Sequence, residues 1–348
     1  MVCWVVCWGP GNNNYMVVSP HISLITSAYR AGRFLERYTS HVLQLAEALS
    51  PKKLLVEVVI VLNEPSPEER QMIEKLVANA HETGGLTVLP IFVERETLYA
   101  SWNRGIQASS SPVIGFWNVD DVRYPEALNE GYQLIGQGCD LVDFPYAVVL
   151  REKWMGLIPH ERHVTKPINY RPPEISHRHC IGPFFLCSRR LFDQAGLFDK
   201  HFRISGDLDW SMRPSVRGCH FCPGNQVAGT FFHHGSNLSS TLNPREWVEI
   251  NTALLRQRAW DRVQPAPPDE MREVWQSWGN NGVELPAEIE AQLWGEGAAE
   301  RWQSWRRERR WRDIKQLPRS AARFVIDHTG LRPLLARAGI VRATGESQ

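Results

Sequence analysis

Short apolar runs and helical apolar spacings follow one another along the first part of the chain. The runs predict four strands, the second broken only by Glu57, at residues 21–26, 54–62, 86–92 and 113–117. The spacings between them predict helices at residues 34–49, from Pro67 onward, and at 98–108. Strands that alternate with helices are typical of an α/β fold with a Rossmann-like, doubly wound, mostly parallel sheet and helices on both faces.

The second part of the chain carries weaker signals. A strand-like run covers residues 140–149, and a loop rich in Pro, His and Arg covers 151–180. A strand and a helix are expected within 184–196, a helix at 206–213, and a strand that enters a polar loop at 227–240. After about residue 245 the pattern predicts helices with tryptophans among Glu, Arg and Gln: Trp247, Trp260, Trp275, Trp278, Trp294, Trp302, Trp305 and Trp311.

These patterns divide the chain into three predicted parts. A disordered leader covers residues 1–19, an α/β domain covers 20–245, and a helical, Trp-rich, basic extension covers 246–348. The leader has a short apolar stretch but no basic residue before it, unlike a secretory signal peptide. Because the ordered pattern begins just after Met16, we consider Met16 a hypothesis for the natural start.

Composition and charge narrow the class of protein. The chain is 43% hydrophobic and 22% charged, with no apolar run near the roughly 18–20 residues of a membrane-spanning helix. Net charge is +1, but residues 301–342 carry twelve Lys or Arg against three acids, so the body is acidic. An acidic body argues against nucleic-acid binding. Seven cysteines without regular spacing suit a reducing cytoplasm, although Cys219 and Cys222 have the spacing of zinc or redox pairs.

Polar clusters follow three of the predicted strands. In parallel sheets the ligand lies outside the carboxyl ends of the strands, so clusters there predict a binding site. The alternative is that strand ends are loops, and loops are polar in any case. The clusters are Ser27 with Tyr29, Asn63 with Glu64, and Asn118 with Asp120 and Asp121.

Seven segments, in order, resemble family 2 glycosyltransferases of the GT-A fold, over about residues 20–245. They are ISLITSAYR, VVIVLNEPSPEE, LYASWNRGIQAS, VIGFWNVDDVRYPEAL, GPFFLCSRRLFDQAGLFD, SGDLDWSMR and FFHHGSNLSS. The resemblance implies an inverting hexosyl- or related transferase that moves a sugar from a nucleotide-diphosphate-sugar donor to a hydroxyl. The acceptor would be a glycan or a lipid-linked sugar, in surface polysaccharide or glycolipid assembly.

The resemblance also implies a divalent cation, Mn²⁺ or Mg²⁺, under the donor diphosphate. The family's DxD motif is matched by Asn118-Val119-Asp120, in which Asn replaces the first acid. Asp120 is then the main predicted ligand and Asp121 the second. A late-loop His completes the metal site in the family, and we favour His234. The alternative for the acids is a capped turn that bonds local backbone N–H groups.

Donor contacts and the catalytic base follow from the same resemblance. Asp207 aligns with the base that takes the acceptor's proton, with Asp209 as the alternative, although Gly206 replaces the usual Glu before it. Capping of the following helix is the structural alternative for Asp207. Asn63 matches a position that hydrogen-bonds the nucleobase of the donor; the alternative is a turn before a helix. Arg104 could reach a phosphate of the donor; the alternative is an arginine on a helix surface. The predicted donor site comprises Ser27, Tyr29, Asn63, Glu64, Asn103, Arg104 and Asn118.

Other functions remain open at this point. A nucleotidyltransferase on a similar sheet would need a Gly-rich basic phosphate loop, of which residues 27–33 are a poor version. A third hypothesis is a non-catalytic sugar-nucleotide-binding or membrane-scaffold protein. It stays open because Asn118 and Gly206 replace acids of the family pattern. The basic segment at 300–325 could make peripheral membrane contact through its Trp and Arg residues. Alternatively, it is an amphipathic helix packed on the body.

Overall fold

A computed structural model describes residues 19–83, 85–151, 162–165, 181–216, 219–234 and 243–316. Within these residues seven strands form the main sheet, in the order β10-β6-β9-β4-β1-β2-β3. They are β1 (Ile22–Tyr29), β2 (Val56–Asn63), β3 (Leu86–Val93), β4 (Val113–Phe116), β6 (Leu141–Asp143), β9 (Leu186–Ser188) and β10 (Phe221–Pro223). All neighbours are parallel except β9, which is antiparallel to β4 and β6. The predicted mostly parallel sheet is therefore confirmed.

Helices cover both faces of this sheet. They are α1 (Gly32–Leu49), α2 (Pro67–Thr83), α3 (Leu98–Ala108), α4 (Pro125–Gly136), α5 (Arg190–Ala195) and α6 (Gly206–Val216). β2 is apolar almost throughout because its side chains alternate between two cores. Val58 and Ile60 pack with α1 and α2, whereas Val59 packs with α3 on the other face. The interrupting Glu57 is buried but accepts hydrogen bonds from Ser23 and Ser110.

A second sheet lies beside the first. Its four strands in the described residues, in the order β5-β11-β7-β8, are β5 (Val122–Arg123), β7 (Ala147–Arg151), β8 (Arg162–Val164) and β11 (Gly229–His234). The prediction of one strand-like run at 140–149 is wrong, because this run is divided between β6 and β7 in different sheets. Pro145 stands between the two strands and has no N–H for a ladder hydrogen bond. Most of the predicted 151–180 loop lies outside the described residues.

The described part of the C-terminal extension, up to residue 316, is helical, as predicted. It contains α7 (Pro244–Arg256), α8 (Pro268–Val274), a π-helical turn at Trp275–Gly279, α9 (Ala287–Trp294) and α10 (Ala298–Gln316). These helices share a core that includes Trp247, Met271 and Trp275. Because Leu254 of α7 packs instead with the α3 face of the sheet, the boundary at residue 245 stays a prediction.

The described start of the basic segment packs on this helical core. Trp302 of α10 is buried, and its ring stacks on Trp305, which meets Trp247 edge-on. These two tryptophans favour the packed-helix alternative over membrane contact. Residues 317–325 and the 1–18 part of the leader lie outside the described residues. Among the helices of the described residues, none is both long and apolar enough to cross a membrane.

Candidate active site

Asn63 joins three elements at the carboxyl edge of the sheet. Its side-chain amide donates to Ser101 Oγ of α3 at 3.0 Å and to Ser27 Oγ of β1 at 3.4 Å. Its Oδ1 accepts from the backbone N–H of Glu96 at 2.9 Å, and the residue is only 2% exposed. An Asn at this position can donate and accept at once, which an ionised Asp cannot do. Asn63 therefore fixes the start of α3 against the ends of β1 and β2.

Two arginines lie close to the ring of Tyr29 at the end of β1. The guanidinium carbon of Arg95 lies 4.5 Å from the ring centroid, and that of Arg30 lies 5.1 Å from it. Both arginines are exposed. Neither was predicted as a site residue, although Arg30 directly follows β1 and Arg95 comes two residues after the end of β3. Beside them, Glu64 has a positive φ of 46°, a conformation that is uncommon outside glycine and often marks functional loops.

Asp121 and Asp120 form an acidic pair in the turn after β4. Asp121 is 1% exposed, and its two carboxylate oxygens accept from Phe232 N at 3.0 Å and from Asn118 Nδ2 at 3.1 Å. Burial, with the nearby charge of Asp120, raises the pKa of Asp121 to about 8. Asn118 thus holds the buried carboxyl group of Asp121, whose ionisation is made less favourable by the nearby charge of Asp120. Two adjacent carboxylates of this kind fit a hard divalent cation.

Arg37 of α1 also binds this turn. Its Nη2 donates to the backbone oxygen of Asp120 at 2.5 Å, and its guanidinium lies 4.8 Å from the ring centroid of Phe232. The predicted metal ligand His234 is the last residue of β11, two residues after Phe232. Its side chain lies outside the described set, so its metal role stays a prediction.

Asn103 and Arg104, both on α3, are engaged within the protein. Asn103 exchanges two hydrogen bonds with the backbone of Phe198, at 2.8 and 2.9 Å. Arg104 pairs with Glu96 at 2.9 Å. Asn103 therefore anchors the segment that leads to α6, and the bonds of Arg104 favour the helix-surface alternative over a phosphate contact.

Asp207 is the second residue of α6, and Tyr99 of α3 reaches it. Asp207 Oδ1 accepts from Leu208 N at 2.9 Å and from Tyr99 OH at 3.2 Å. The same hydroxyl lies 2.7 Å from the backbone oxygen of Ile204. A Cβ at Gly206 would lie 2.6 Å from the Tyr99 ring, closer than real Cβ contacts. The glycine that replaces the family's Glu therefore leaves room for the ring of Tyr99. The presence of glycine at position 206 is the one sequence feature that could have indicated a large side chain packed against this point.

Asp209, predicted as the alternative base, is engaged in ion pairs within the protein. It is 1% exposed and pairs with Arg213 at 2.6 Å and with Arg256 at 3.2 Å. Arg256 comes from α7 and also pairs with Asp199. Charge-assisted hydrogen bonds to two guanidinium groups fix the position of this carboxylate and favour a structural role over that of a base. Asp209 thus fastens α6 to the helical extension.

The start of α7 adds two acids near Asp207 that sequence reasoning missed. Glu249 is fully buried and accepts from the backbone N–H groups of residues 203, 204 and 205, just before α6. Glu246 is partly buried, and burial raises its pKa to about 7, with Glu249 and Asp207 adding to the rise and Arg309 opposing it. Through Glu249 the extension fixes the backbone just before α6, and through Glu246 and Glu249 it places two further acids near Asp207.

Comparison with known proteins decides the family. The sequence model of glycosyl transferase family 2 matches residues 23–196, half of the chain. This chain belongs to glycosyl transferase family 2. The predicted family and the prediction of a glycosyltransferase are confirmed. No curated protein sequence matches the chain.

Two solved structures are similar to this chain, and the likeness in fold rests on the first of them together with the family match. TarS 1–349 from S. aureus, in complex with UDP-GlcNAc, is 15% identical, with 92% of this chain and 88% of that chain covered and a TM-score of 0.52. Mannosyltransferase PcManGT from Pyrobaculum calidifontis, in complex with GDP-Man and Mn²⁺, is 14% identical. In that comparison 97% of this chain and 86% of that chain are covered, and the TM-score is 0.47. The predicted GT-A fold class is confirmed.

Proposed function

We propose that this family 2 glycosyltransferase moves a sugar, with inversion, from a nucleotide-diphosphate-sugar to a hydroxyl of a glycan or lipid-linked acceptor. Such a reaction belongs to surface polysaccharide or glycolipid assembly on the cytoplasmic side of the membrane. The observation that carries the proposal is the arrangement around α3. One turn of this helix meets Asn63 through Ser101 and Asp207 through Tyr99, so it connects the predicted nucleoside end of the site with the predicted base.

The donor would lie along the ends of β1, β2 and β4. Tyr29 offers an aromatic face at the end of β1, where a nucleoside base can stack. Arg30 and Arg95 beside it are exposed cations that can pair with the diphosphate. Asn63 and Glu64, at the end of the neighbouring strand β2, would contact the nucleoside from the side of that strand.

A divalent cation fits the acidic pair. Asp120 and Asp121 would hold it, with His234 as the third proposed ligand. Such a cation neutralises the diphosphate and improves the nucleoside diphosphate as a leaving group. Burial and the charge of Asp120 raise the pKa of Asp121 to about 8, which supports this assignment, because a bound cation would favour the ionised form of Asp121.

Asp207 is the proposed base. The acceptor oxygen would form a bond to the anomeric carbon while its proton passes to the Asp207 carboxylate. The bond between the anomeric carbon and the diphosphate oxygen breaks on the opposite side, and the nucleoside diphosphate leaves with the electron pair. The bonds from Tyr99 and Leu208 to Oδ1 fix the carboxylate during this step. A single displacement of this kind inverts the anomeric configuration.

The test is the anomeric configuration of the product, read by proton NMR on a transfer reaction. The donor comes from a panel of UDP-, GDP- and dTDP-sugars with Mn²⁺ or Mg²⁺. We expect a product whose anomeric configuration is opposite to that of the donor, and no product with Asp207→Asn. Retention of configuration would overturn the single-displacement mechanism and the role of Asp207.

A further inference from the structure

Three metal-ligating side chains cluster at the opposite edge of the sheet from the proposed active site. Cys139 directly precedes the start of β6, and His220 directly precedes the start of the parallel strand β10. Cys222 is the second residue of β10, and it forms a disulfide bond with Cys139 across 83 residues of sequence. Because these residues lie at the amino ends of their strands, the cluster is separate from the donor site at the carboxyl ends.

The cluster corrects the pairing that the sequence suggested. The Cys-x-x-Cys spacing would bring Cys219 to Cys222, but Cys219 points elsewhere and its thiol lies 3.4 Å from the side-chain oxygen of Gln194. Cys222 instead meets Cys139, while the two ring nitrogens of His220 lie 3.8 and 3.9 Å from its sulfur. One ligand atom from each of Cys139, His220 and Cys222 lies within 4.8 Å of the others.

The backbone holds the three residues together independently of the disulfide. Asp140 N donates to His220 O at 2.7 Å, and His220 N donates back to Asp140 Oδ2 at 2.8 Å. The other oxygen of Asp140 accepts from Arg190 Nε at 2.7 Å. The residue after Cys139 is thus bonded in both directions to His220, so the two thiols remain adjacent when the disulfide is reduced.

The donor set and its spacing suit zinc. Zn²⁺ prefers thiolate and imidazole ligands at about 2.3 and 2.0 Å, which places neighbouring donor atoms of a tetrahedron roughly 3.5–4 Å apart. The separations of His220 from Cys222 already fall in this range. Cys139 and Cys222 are buried, whereas His220 is exposed, so the fourth position of the tetrahedron would be open to water.

We propose that Cys139, His220 and Cys222 form a redox-gated zinc site. Reduction of the disulfide by a dithiol transfers two electrons and two protons, giving two thiols and a cyclic disulfide on the reductant. Zn²⁺ binding then displaces both thiol protons. Oxidation of the two thiols by a disulfide reagent removes both thiolate ligands and releases the ion. The site is thereby filled only in the reduced protein.

The test uses the full chain, reduced with a dithiol and freed of reductant without air, and Co²⁺ as a spectroscopic probe for the zinc site. We expect a near-ultraviolet thiolate-to-cobalt band, which reports this site alone, and loss of that band on adding Zn²⁺. The matched control is Cys219→Ala, which removes a neighbouring buried thiol and should leave the band unchanged. Cys222→Ser should abolish it, and protein reoxidised before addition should not show it.

Two results would overturn the proposal. One is the absence of the band in reduced wild-type protein whose free-thiol count confirms reduction. The other is a band that survives Cys222→Ser. Because Cys222→Ser also removes a disulfide, His220→Ala provides a second variant with an exposed side chain and the disulfide pair intact. It should weaken Co²⁺ binding at least tenfold, and unchanged affinity would exclude His220 as a ligand.

Discussion

Two isosteric substitutions on α6 separate the proposed base from its neighbour. Asp207→Asn keeps an oxygen for the bonds from Leu208 N and Tyr99 OH but removes the ability to take a proton. Asp209→Asn keeps the shape of a side chain that is 1% exposed but removes the charge between Arg213 and Arg256. The two sites are two residues apart, so the pair controls for general damage to this helix.

Asp207→Asn is expected to lower kcat, whereas Asp209→Asn is expected to lower the free energy of unfolding. Loss of a positioned general base lowers kcat about 10²- to 10⁴-fold, so Asp207→Asn should lose at least about 100-fold with stability within about 1 kcal/mol of wild type. Removing one partner of a buried ion pair costs about 3–5 kcal/mol. Since Arg256 keeps its bond to Asp199 at 2.9 Å, we expect about 3 kcal/mol for Asp209→Asn. The folded fraction of that variant should keep most of its kcat.

The assay combines initial rates of nucleoside diphosphate release with urea unfolding of the same preparations. Donor affinity, from calorimetry, should be unchanged in Asp207→Asn because the base acts on the acceptor. If Asp207→Asn kept more than about a tenth of wild-type kcat, or Asp209→Asn lost turnover while staying as stable as wild type, the two roles would have to be exchanged or abandoned.

Three further predictions concern residues around the site. Tyr99→Phe removes a hydroxyl from Asp207 and from the backbone oxygen of Ile204; we expect a loss of about 1–2 kcal/mol in urea unfolding and a several-fold lower kcat. Tyr38→Phe, which loses an equally buried hydroxyl contact to Thr26, should cost stability alone, and an equal loss of kcat in both variants would refute the positioning role. Arg95→Ala should raise the donor KM several-fold at unchanged kcat, and an unaltered KM would remove Arg95 from the donor site. For Glu246, whose pKa is raised to about 7, the folded protein binds the proton more tightly than the unfolded chain, so wild-type stability should fall as the pH rises from about 4.5 through 7. Glu246→Gln should lack this fall, so its free energy of unfolding should rise by about 1 kcal/mol relative to wild type between pH 5 and pH 8, a value discounted for the partial exposure of the side chain. If the difference between the urea midpoints of the two proteins did not change with pH, the raised pKa of Glu246 would be contradicted.

The sheet and its site-forming edge could be predicted from local patterns. The run at 54–62 has the composition of a strand buried on both faces, and β2 is such a strand. The polar residues at the ends of β1 and β2 lie at one edge of the sheet, because Tyr29 and Asn63 stand opposite each other in register. The acids after β4 face the same edge, because β4 runs parallel to β1.

The remaining features depend on partners that are distant in sequence. The sequence marks Asp209 as a candidate base, but it does not indicate the ion pair of Asp209 with Arg256 from the extension. Cys139 and Cys222 are 83 residues apart, and no local spacing connects them. Tyr99 lies 108 residues before Asp207, so its hydroxyl contact cannot be inferred from either motif alone. Long-range pairs of this kind are set by the packing of helices on the sheet and not by propensity.

The central claim is that this family 2 enzyme cleaves its donor between the sugar and the diphosphate. The direct measurement is the identity of the nucleotide product by mass spectrometry, after incubation of the enzyme with UDP-, GDP- and dTDP-sugars, acceptor extract and Mn²⁺. We expect that one donor yields a nucleoside diphosphate with the wild-type enzyme, and that Asp207→Asn does not yield it. A nucleoside monophosphate together with a sugar phosphate would instead indicate attack within the diphosphate and would contradict the account.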